Sequence, residues 1–299
     1  MLRYPLYIIS KGRADGCLTA RWLSREKIQF KLVVEPQEKD AYSSRYGEER
    51  LLVLPFSNLG QGSIPARNWV WEHAKALGAE KHWILDDNIR GMIRCWKAKR
   101  IGVSGDSGFR CVEDFSDRYE NIAIAGINYY FFVGSNMGAR KVGRPPFYLN
   151  THVYSCLLIK NDLPYRWRGR YNEDTDLCLQ VLSGGWCTIL VNAFSIKKSA
   201  TMSMRGGNTD ELYEGDGRLE MSRSLERRWG PYVVSTKRMF KRPQHYVRSS
   251  WRRFDTPLKL KPGLVVKDGP NEYGLKLVQV APIKSERVRK ILERSKAKP

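Results

Sequence analysis

The stretch Trp83-Ile84-Leu85-Asp86-Asp87-Asn88 decides the fold, because apolar residues typical of a buried β-strand run directly into two carboxylates and an amide. Adjacent carboxylates repel each other, and removing them from water costs free energy. A divalent cation offsets both effects, since hard oxygen ligands of this kind suit magnesium or manganese. The alternative interpretation is a helix N-cap, a position at which Asp and Asn are favoured.

Strands and helices alternate upstream of this stretch. The pattern predicts strands at Tyr4–Ile9, Phe30–Val34 and Leu51–Leu54, and helices at Cys17–Lys27 and Ile64–Leu77. Such alternation is typical of an α/β protein in which helices flank a mostly parallel central sheet. Ligands of these sheets bind at the carboxyl ends of the strands, which is where the two adjacent carboxylates fall.

The alternation continues downstream, although less regularly. The pattern there predicts, in chain order, a helix at Cys111–Glu120, strands at Ile122–Ala125, Tyr129–Val133 and Tyr154–Ile159, a helix at Thr175–Leu182 and a strand at Cys187–Val191.

Composition and charge narrow the class of protein. The 299 residues include 52 Lys+Arg and 31 Asp+Glu, and the formal net charge of +21 favours a polyanionic partner such as nucleic acid. The longest apolar stretch, Ile122–Val133, is interrupted by Asn128 and is shorter than the roughly 18 residues of a membrane span. The N-terminus shows no secretory pattern, and the six cysteines show no CxxC spacing. We therefore expect a cytoplasmic protein with reduced thiols rather than a membrane protein, a disulfide-stapled module or a zinc ribbon.

A second acidic cluster lies in Asn172-Glu173-Asp174-Thr175-Asp176, ahead of a predicted helix. Basic residues precede it, and they would keep a carboxylate ionised beside a polyanionic substrate. An ionised carboxylate within hydrogen-bond reach of a proton can act as a general base. The alternative is an ordinary acidic helix start, which the helix dipole favours.

Two further loops precede predicted helices. Ser10-Lys11-Gly12-Arg13 offers basic side chains that can bind a diphosphate, although it is not a P-loop sequence and solvated surface charge is the alternative. Gly60 and Gly62 allow a ligand to approach the backbone, and Arg67 follows them; a plain turn and cap is the alternative. The sequence contains no G-x-S-x-G, G-x-G-x-x-G or HExxH motif, which argues against serine hydrolases, dinucleotide oxidoreductases and zinc proteases.

Four stretches in this order resemble the phage TET-associated glycosyltransferases, a family with a GT-A fold. They are residues 10–13 (Ser-Lys-Gly-Arg), 60–68 (Gly-Gln-Gly-Ser-Ile-Pro-Ala-Arg-Asn), 83–89 (Trp-Ile-Leu-Asp-Asp-Asn-Ile) and 172–176 (Asn-Glu-Asp-Thr-Asp). The resemblance covers about residues 1 to 210. It implies transfer of a sugar from a nucleotide sugar, with a UDP-sugar as the expected donor, to the hydroxymethyl group of 5-hydroxymethylcytosine or 5-hydroxymethyluracil in DNA.

The resemblance also implies roles for individual residues. Asp174 is assigned as the general base, and Glu173 is the alternative candidate for that role. The manganese or magnesium ion is assigned to Asp87, Asp86 and Asn88. The donor is assigned to Ser10, Lys11, Arg13, Arg67 and Asp86. Many GT-A enzymes place a metal-binding His beyond the Glu-Asp helix, and no His lies between Glu173 and Asn208 here.

The last part of the chain lies beyond this resemblance and is predicted to contact DNA. We expect a catalytic domain at 1–235 and a basic, aromatic-containing extension at 236–299. Basic residues interleaved with aromatics suit phosphate contacts and base stacking, although a solvated basic face is the alternative. The predicted DNA or acceptor contacts are Trp167, Arg168, Arg170, Lys237, Arg238, Lys241, Arg242, Arg248, Trp251, Arg252 and Arg253.

Two other functions compete with sugar transfer. A metal-dependent nuclease or phosphoryl-transfer enzyme would use a two-metal cluster made of Asp86, Asp87, Glu173, Asp174 and Asp176. A non-catalytic DNA-binding module would retain its whole activity in an Asp87→Ala variant. An acceptor group in duplex DNA requires base flipping or single-stranded DNA, and Tyr129, Tyr130, Trp167 and Tyr171 are candidates for stacking on the base, with core packing as the alternative.

Overall fold

The computed structural model describes residues 1–96, 99–133, 145–199, 217–239, 242–247, 251–265, 267 and 269–275. The chain divides into two compact units, Met1–Lys261 and Pro262–Pro299. All features below belong to the larger unit. The predicted functional division at residue 235 rests on charge rather than on packing, and it stays a prediction.

A central sheet of ten strands organises the larger unit. In chain order the strands are β1 (Leu6–Ile9), β2 (Lys31–Val34), β3 (Leu51–Val53), β4 (Lys81–Asp86), β5 (Ile89–Trp96), β6 (Lys99–Val103), β7 (Ile122–Tyr129), β8 (Phe147–Leu149), β9 (Cys156–Lys160) and β10 (Cys187–Lys198). Their spatial order is β3-β2-β1-β4-β9-β7-β10-β5-β6, with β8 paired to β10. The four strands β3, β2, β1 and β4 run parallel, as do β7 and β10.

Six helices connect and flank these strands. They are α1 (Leu18–Arg25), α2 (Lys39–Tyr46), α3 (Ile64–Ala76), α4 (Gly105–Asp117), α5 (Glu173–Ser183) and α6 (Gly217–Trp229) among the described residues. In α3, Pro65 occupies the first turn, where its missing N–H is tolerated, and Val70, Trp71 and Ala74 form the buried face. The predicted α/β fold class is confirmed.

Strand register brings the sequence motifs together. Strand β1 pairs in parallel with β4, and Ile9 lies opposite Asp86. The loop that follows β1 and the acidic residues that end β4 therefore meet at the same edge of the sheet. This is the carboxyl edge at which α/β sheets bind ligands.

Two predicted elements differ from the structure. The strand predicted at Tyr129–Val133 is absent from this described segment, because β7 continues from Ile122 and ends at Tyr129. The chain then turns, and the Phe132 N–H donates to the Tyr129 carbonyl at 3.0 Å. Helix α4 begins at Gly105, six residues before the predicted start at Cys111. Gly105 lies against Trp22, where a Cβ would approach the indole to 2.5 Å, so the first turn of α4 packs closely on α1. The apolar spacing of the sequence does not reveal such small-residue contacts.

The basic segment after residue 235 begins as a β-hairpin of β11 (Val234–Met239) and β12 (Arg242–Val247). Val234 and Val247 pack with Leu179 of α5 and Leu225 of α6 in a small hydrophobic cluster. The hairpin is thereby anchored to the helix that carries the second acidic cluster. None of the helices in the described part of the chain is both long enough and apolar enough to span a membrane.

Candidate active site

A cavity of about 880 Å³ opens at the carboxyl edge of β1 and β4. Its lining contains every residue predicted to bind the donor or a metal or to act as general base. These residues are Ser10, Lys11, Arg13, Arg67, Asp86, Asp87, Asn88, Glu173 and Asp174. Motifs that are far apart in the sequence therefore share one cavity.

The buried carboxylate of Asp87 is held by the loop after β1. It accepts a hydrogen bond from the Ser10 hydroxyl at 2.9 Å and pairs with the Arg13 guanidinium at 2.7 Å. Burial raises the pKa of Asp87, while Arg13 and Ser10 oppose that rise by stabilising the ionised form. Lys11 lies farther out, where its ammonium pairs with Glu35 at 3.1 Å.

The neighbouring Asp86 is paired with two cations. One oxygen lies 3.2 Å from Arg67 and the other lies 2.7 Å from the Lys198 ammonium. Burial alone would raise the pKa of Asp86, but Lys198 and Arg67 outweigh it and lower the pKa to about 2. Asp86 is therefore ionised throughout the physiological range.

Sequence reasoning missed Lys198, which comes from the last position of β10. Its ammonium also donates to the Ser155 hydroxyl at 2.6 Å and to the Tyr129 hydroxyl at 2.9 Å. Burial acts to lower the pKa of Lys198, but Asp86 and Tyr129 favour the charged form, and the net effect raises the pKa. Lys197 and Lys198 form a basic pair at the end of a strand. Such a pair is a weak indication of a functional site, because most such residues are exposed.

Arg67 joins the two acidic clusters. Besides Asp86, its guanidinium lies 3.4 Å from Asp174 and 3.8 Å from Glu173. The guanidinium also lies over the ring of Trp167, 4.5 Å from its centroid. Because Arg67 is only 5% exposed, it acts as a fixed positive charge between the carboxylates rather than as a mobile surface group.

Asp174 sits in the first turn of α5, after Asn172 in a left-handed conformation with φ 55°. One carboxylate oxygen accepts the Ser155 backbone N–H at 3.3 Å, and Ser155 is itself left-handed with φ 64°. Burial raises the pKa of Asp174 to about 7, although Arg67 acts in the opposite direction. A carboxylate that titrates near neutrality is suited to accept a proton at physiological pH. Glu173 accepts a hydrogen bond from Ser63 at 3.1 Å.

The third acid, Asp176, has a structural role. It is fully buried and accepts hydrogen bonds from Trp229 at 2.7 Å and from Arg168 at 2.9 Å. These contacts tie α6 to α5. Asp176 therefore stabilises the helix that carries Asp174, and Arg168 serves the same interaction.

The predicted DNA-contacting residues are spread over several surroundings. Trp167 is 2% exposed and lies beneath Arg67; its predicted contact with the acceptor stays a prediction. Arg170 lies over the Tyr171 ring.

The other predicted DNA contacts lie on the hairpin and in the segment after it. On the hairpin, Lys237 and Arg238 are exposed, and Arg253 is exposed beyond it. Trp251 packs against His152, 5.4 Å between ring centroids. Arg242 and Arg252 lie in β12 and in a short 3-10 helix, whereas Lys241 and Arg248 lie outside the described residues.

The predicted metal ligands are compatible with a divalent cation that is shared with the substrate. No group of three His, Cys, Asp or Glu side chains with metal-binding geometry occurs in the described residues. Among the described residues that line the cavity, five carboxylates (Glu35, Asp86, Asp87, Glu173, Asp174) face four cations (Lys11, Arg13, Arg67, Lys198), so a diphosphate would enter a site without surplus positive charge. The Asn88 side-chain oxygen is buried, and no described residue forms a hydrogen bond with it. Magnesium is commonly held by one or two carboxylates and substrate phosphates, which this donor set allows.

A family model for TET-associated glycosyltransferases matches residues 4–207. The chain belongs to this family. As a TET-associated glycosyltransferase it carries both acidic clusters, the loop after β1 and Arg67 within the matched residues. Membership confirms the resemblance seen in the sequence and identifies the chain as a glycosyltransferase, which removes the support for the nuclease and for the non-catalytic module.

Other comparisons add little to the family assignment. One solved structure, described as a nucleotide-diphospho-sugar transferase from Desulfovibrio desulfuricans G20, is 9% identical, with a TM-score of 0.36. The match covers 77% of this TET-associated glycosyltransferase and 99% of that chain. No curated protein matches the sequence.

Proposed function

We propose that this TET-associated glycosyltransferase transfers a sugar from a nucleoside-diphosphate sugar, a UDP-sugar, to the hydroxymethyl group of a 5-hydroxymethylpyrimidine in DNA. The observation that carries the proposal is the placement of Asp174, whose pKa is about 7, in one cavity with the basic loop after β1. A base and a diphosphate-binding loop in the same cavity are the two requirements of this reaction. The net charge of +21 suits a DNA substrate.

In the proposed reaction the acceptor oxygen attacks the anomeric carbon of the sugar. Asp174 takes the hydroxyl proton as the new carbon–oxygen bond forms. The bond to the diphosphate breaks, and its electron pair leaves with the nucleoside diphosphate. A single displacement of this kind inverts the anomeric configuration.

The chain's own cations act on the leaving group and on the carboxylates. Lys11 and Arg13, from the loop after β1, would bind the diphosphate. Arg67 and Lys198 keep Asp86 ionised. In this form Asp86 would accept hydrogen bonds from the donor ribose. A divalent manganese or magnesium ion at Asp87, Asp86 and Asn88 would offset the negative charge of the departing diphosphate. The proposal places the reaction in the cytoplasm, that of the host when a bacteriophage carries the gene.

The DNA strand would lie along the basic surface that Lys237, Arg238 and Arg253 present. Contacts with phosphates give affinity without sequence specificity, and they make binding depend steeply on salt. DNA affinity is therefore expected to fall as salt rises, in the protein and equally in its catalytic variants.

Mass spectrometry of digested nucleosides tests the proposal. Hydroxymethylated and unmodified DNA are incubated with the protein, manganese and one nucleotide sugar at a time. A hexose-sized or N-acetylhexosamine-sized gain on the hydroxymethylated base alone supports the proposal and identifies the donor. Shortened DNA with no gain from any donor would contradict it.

A further inference from the structure

Part of the cavity lining has no predicted role in donor binding or catalysis, and we call this part the second half of the cavity. It is lined by Thr151, His152 and Tyr154, from the segment between β8 and β9, and by Gln244 and His245 of β12. None of these residues was predicted to act in the reaction. The hairpin therefore completes a cavity whose other walls come from the sheet, from α3 and α5 and from the loops beside them.

Hydrogen bonds attach the segment between β8 and β9 to neighbouring parts of the fold. The Asn150 side chain donates to the carbonyls of Phe254 and Thr256, at 2.9 Å each. The backbone of Asn150 is left-handed, with φ 52°. The Thr151 N–H donates to the Thr188 hydroxyl at 2.9 Å. Left-handed conformations at residues other than glycine cost free energy and persist where surrounding contacts enforce them, often at binding sites. These contacts thus fix the backbone from which His152 and Tyr154 project.

Aromatic rings form one wall of this half. His152 stacks on Tyr154 with centroids 4.9 Å apart and an interplanar angle of 23°. Tyr154 meets Tyr129 edge to face at 4.5 Å, and its hydroxyl donates to Asn128 at 3.0 Å. Flat rings of this kind are the surfaces on which extruded bases stack.

The polar groups of this half are uncharged. Burial, with a contribution from His245, lowers the pKa of His152 to about 4, and burial lowers the pKa of His245. Each neutral imidazole offers one donor and one acceptor. The Nδ1 atom of His245 is buried and has no hydrogen-bond partner among the residues that the structure describes. These groups match the donors and acceptors of a nucleobase edge, whereas a phosphate would call for cations.

This half of the cavity adjoins the general base. Ser155 follows Tyr154 directly, and its N–H donates to Asp174 at 3.3 Å. We propose that His152, Tyr154 and His245 bind the pyrimidine ring of the acceptor nucleotide after it leaves the base stack, with its 5-hydroxymethyl group towards Asp174. The inference rests on the proposed function and adds to it the site of base recognition.

Binding of single-stranded oligonucleotides tests the inference. One oligonucleotide carries a single 5-hydroxymethylpyrimidine, and its partner carries an abasic site at that position; both are titrated in the presence of UDP. The wild type is expected to bind the base-containing strand about tenfold more tightly. His245→Ala and Tyr154→Ala should reduce this preference to about twofold or less, while the Kd for UDP stays unchanged.

Tyr232→Ala is the matched control, because Tyr232 is an 83% exposed aromatic residue at the start of the same hairpin. It should retain the full preference. Circular dichroism and His245→Asn, which keeps a polar side chain, separate loss of folding from loss of recognition. A weaker Kd for UDP in His245→Ala with the preference intact would overturn the inference and assign this half to the donor base. If the wild type neither transfers a sugar nor binds the base-containing oligonucleotide more tightly than the abasic one, the proposed function itself is refuted.

Discussion

The pH dependence of sugar transfer reports directly on Asp174. Because the ionised carboxylate accepts the proton and its pKa is about 7, kcat/KM should rise with pH through about 7 and level off above it. An unperturbed aspartate would place the midpoint of this rise near pH 4. The position of the rise therefore separates a buried base from an exposed one.

Replacing Arg67 shifts that rise by an amount that follows from the geometry. The guanidinium and the Asp174 carboxylate are 3.4 Å apart. At an effective dielectric of about 20 their attraction is at most about 5 kcal/mol, and an arginine neighbour typically lowers an aspartate pKa by about 1 to 3 units. Arg67→Met should thus move the rise upward by about 1 to 3 pH units.

The assay measures kcat/KM against pH for the wild type, for Arg67→Met and for Arg166→Met as a control. Arg166 pairs with Glu72 at the surface, at 2.6 Å, so its loss should leave the rise in place. An unchanged rise in Arg67→Met, or a wild-type rise near pH 4, would refute the assignment of Asp174 as the buried base.

Three further predictions concern the contacts around the site. Lys198→Met removes the 2.7 Å partner of Asp86 but leaves Arg67 at 3.2 Å, so it should cost about 1 to 3 kcal/mol of unfolding free energy in urea; no loss at all would contradict the pairing. Asp176→Ala removes the buried acceptor of Trp229 and Arg168 and should cost about 3 to 5 kcal/mol by the same measurement, whereas Glu220→Ala on the surface of α6 should cost little. Chelation with EDTA should abolish sugar transfer, and added manganese or magnesium should restore it in the wild type but not in Asp87→Ala. Full activity in EDTA would contradict the predicted dependence on a metal ion.

The sequence predicts those parts of the fold and site that depend on local patterns. Short apolar stretches followed by charged loops locate β1 and β4, and their parallel pairing brings Arg13 to Asp87. The acidic start of α5 likewise marks Asp174 without knowledge of its neighbours. Both features lie within a few residues of the strand or helix that carries them.

Other parts of the site arise from long-range packing and leave no local signal. Lys198 and Asp86 are 112 positions apart, and they meet only because β10, separated from β4 by β9 and β7, ends at the same edge of the sheet. Trp167 has the composition of a stacking residue, yet it lies beneath Arg67. His245 enters the cavity because the hairpin packs on α5, a contact that the basic composition of the segment obscures.

Sugar transfer by Asp174→Asn, measured beside Glu173→Gln, tests the central claim most directly. The substitution keeps the shape of the side chain and removes its basicity. Asp174→Asn should lose about 100- to 10,000-fold in kcat with UDP binding retained, whereas Glu173→Gln should lose far less. Transfer that survives in Asp174→Asn and disappears in Glu173→Gln would contradict the account.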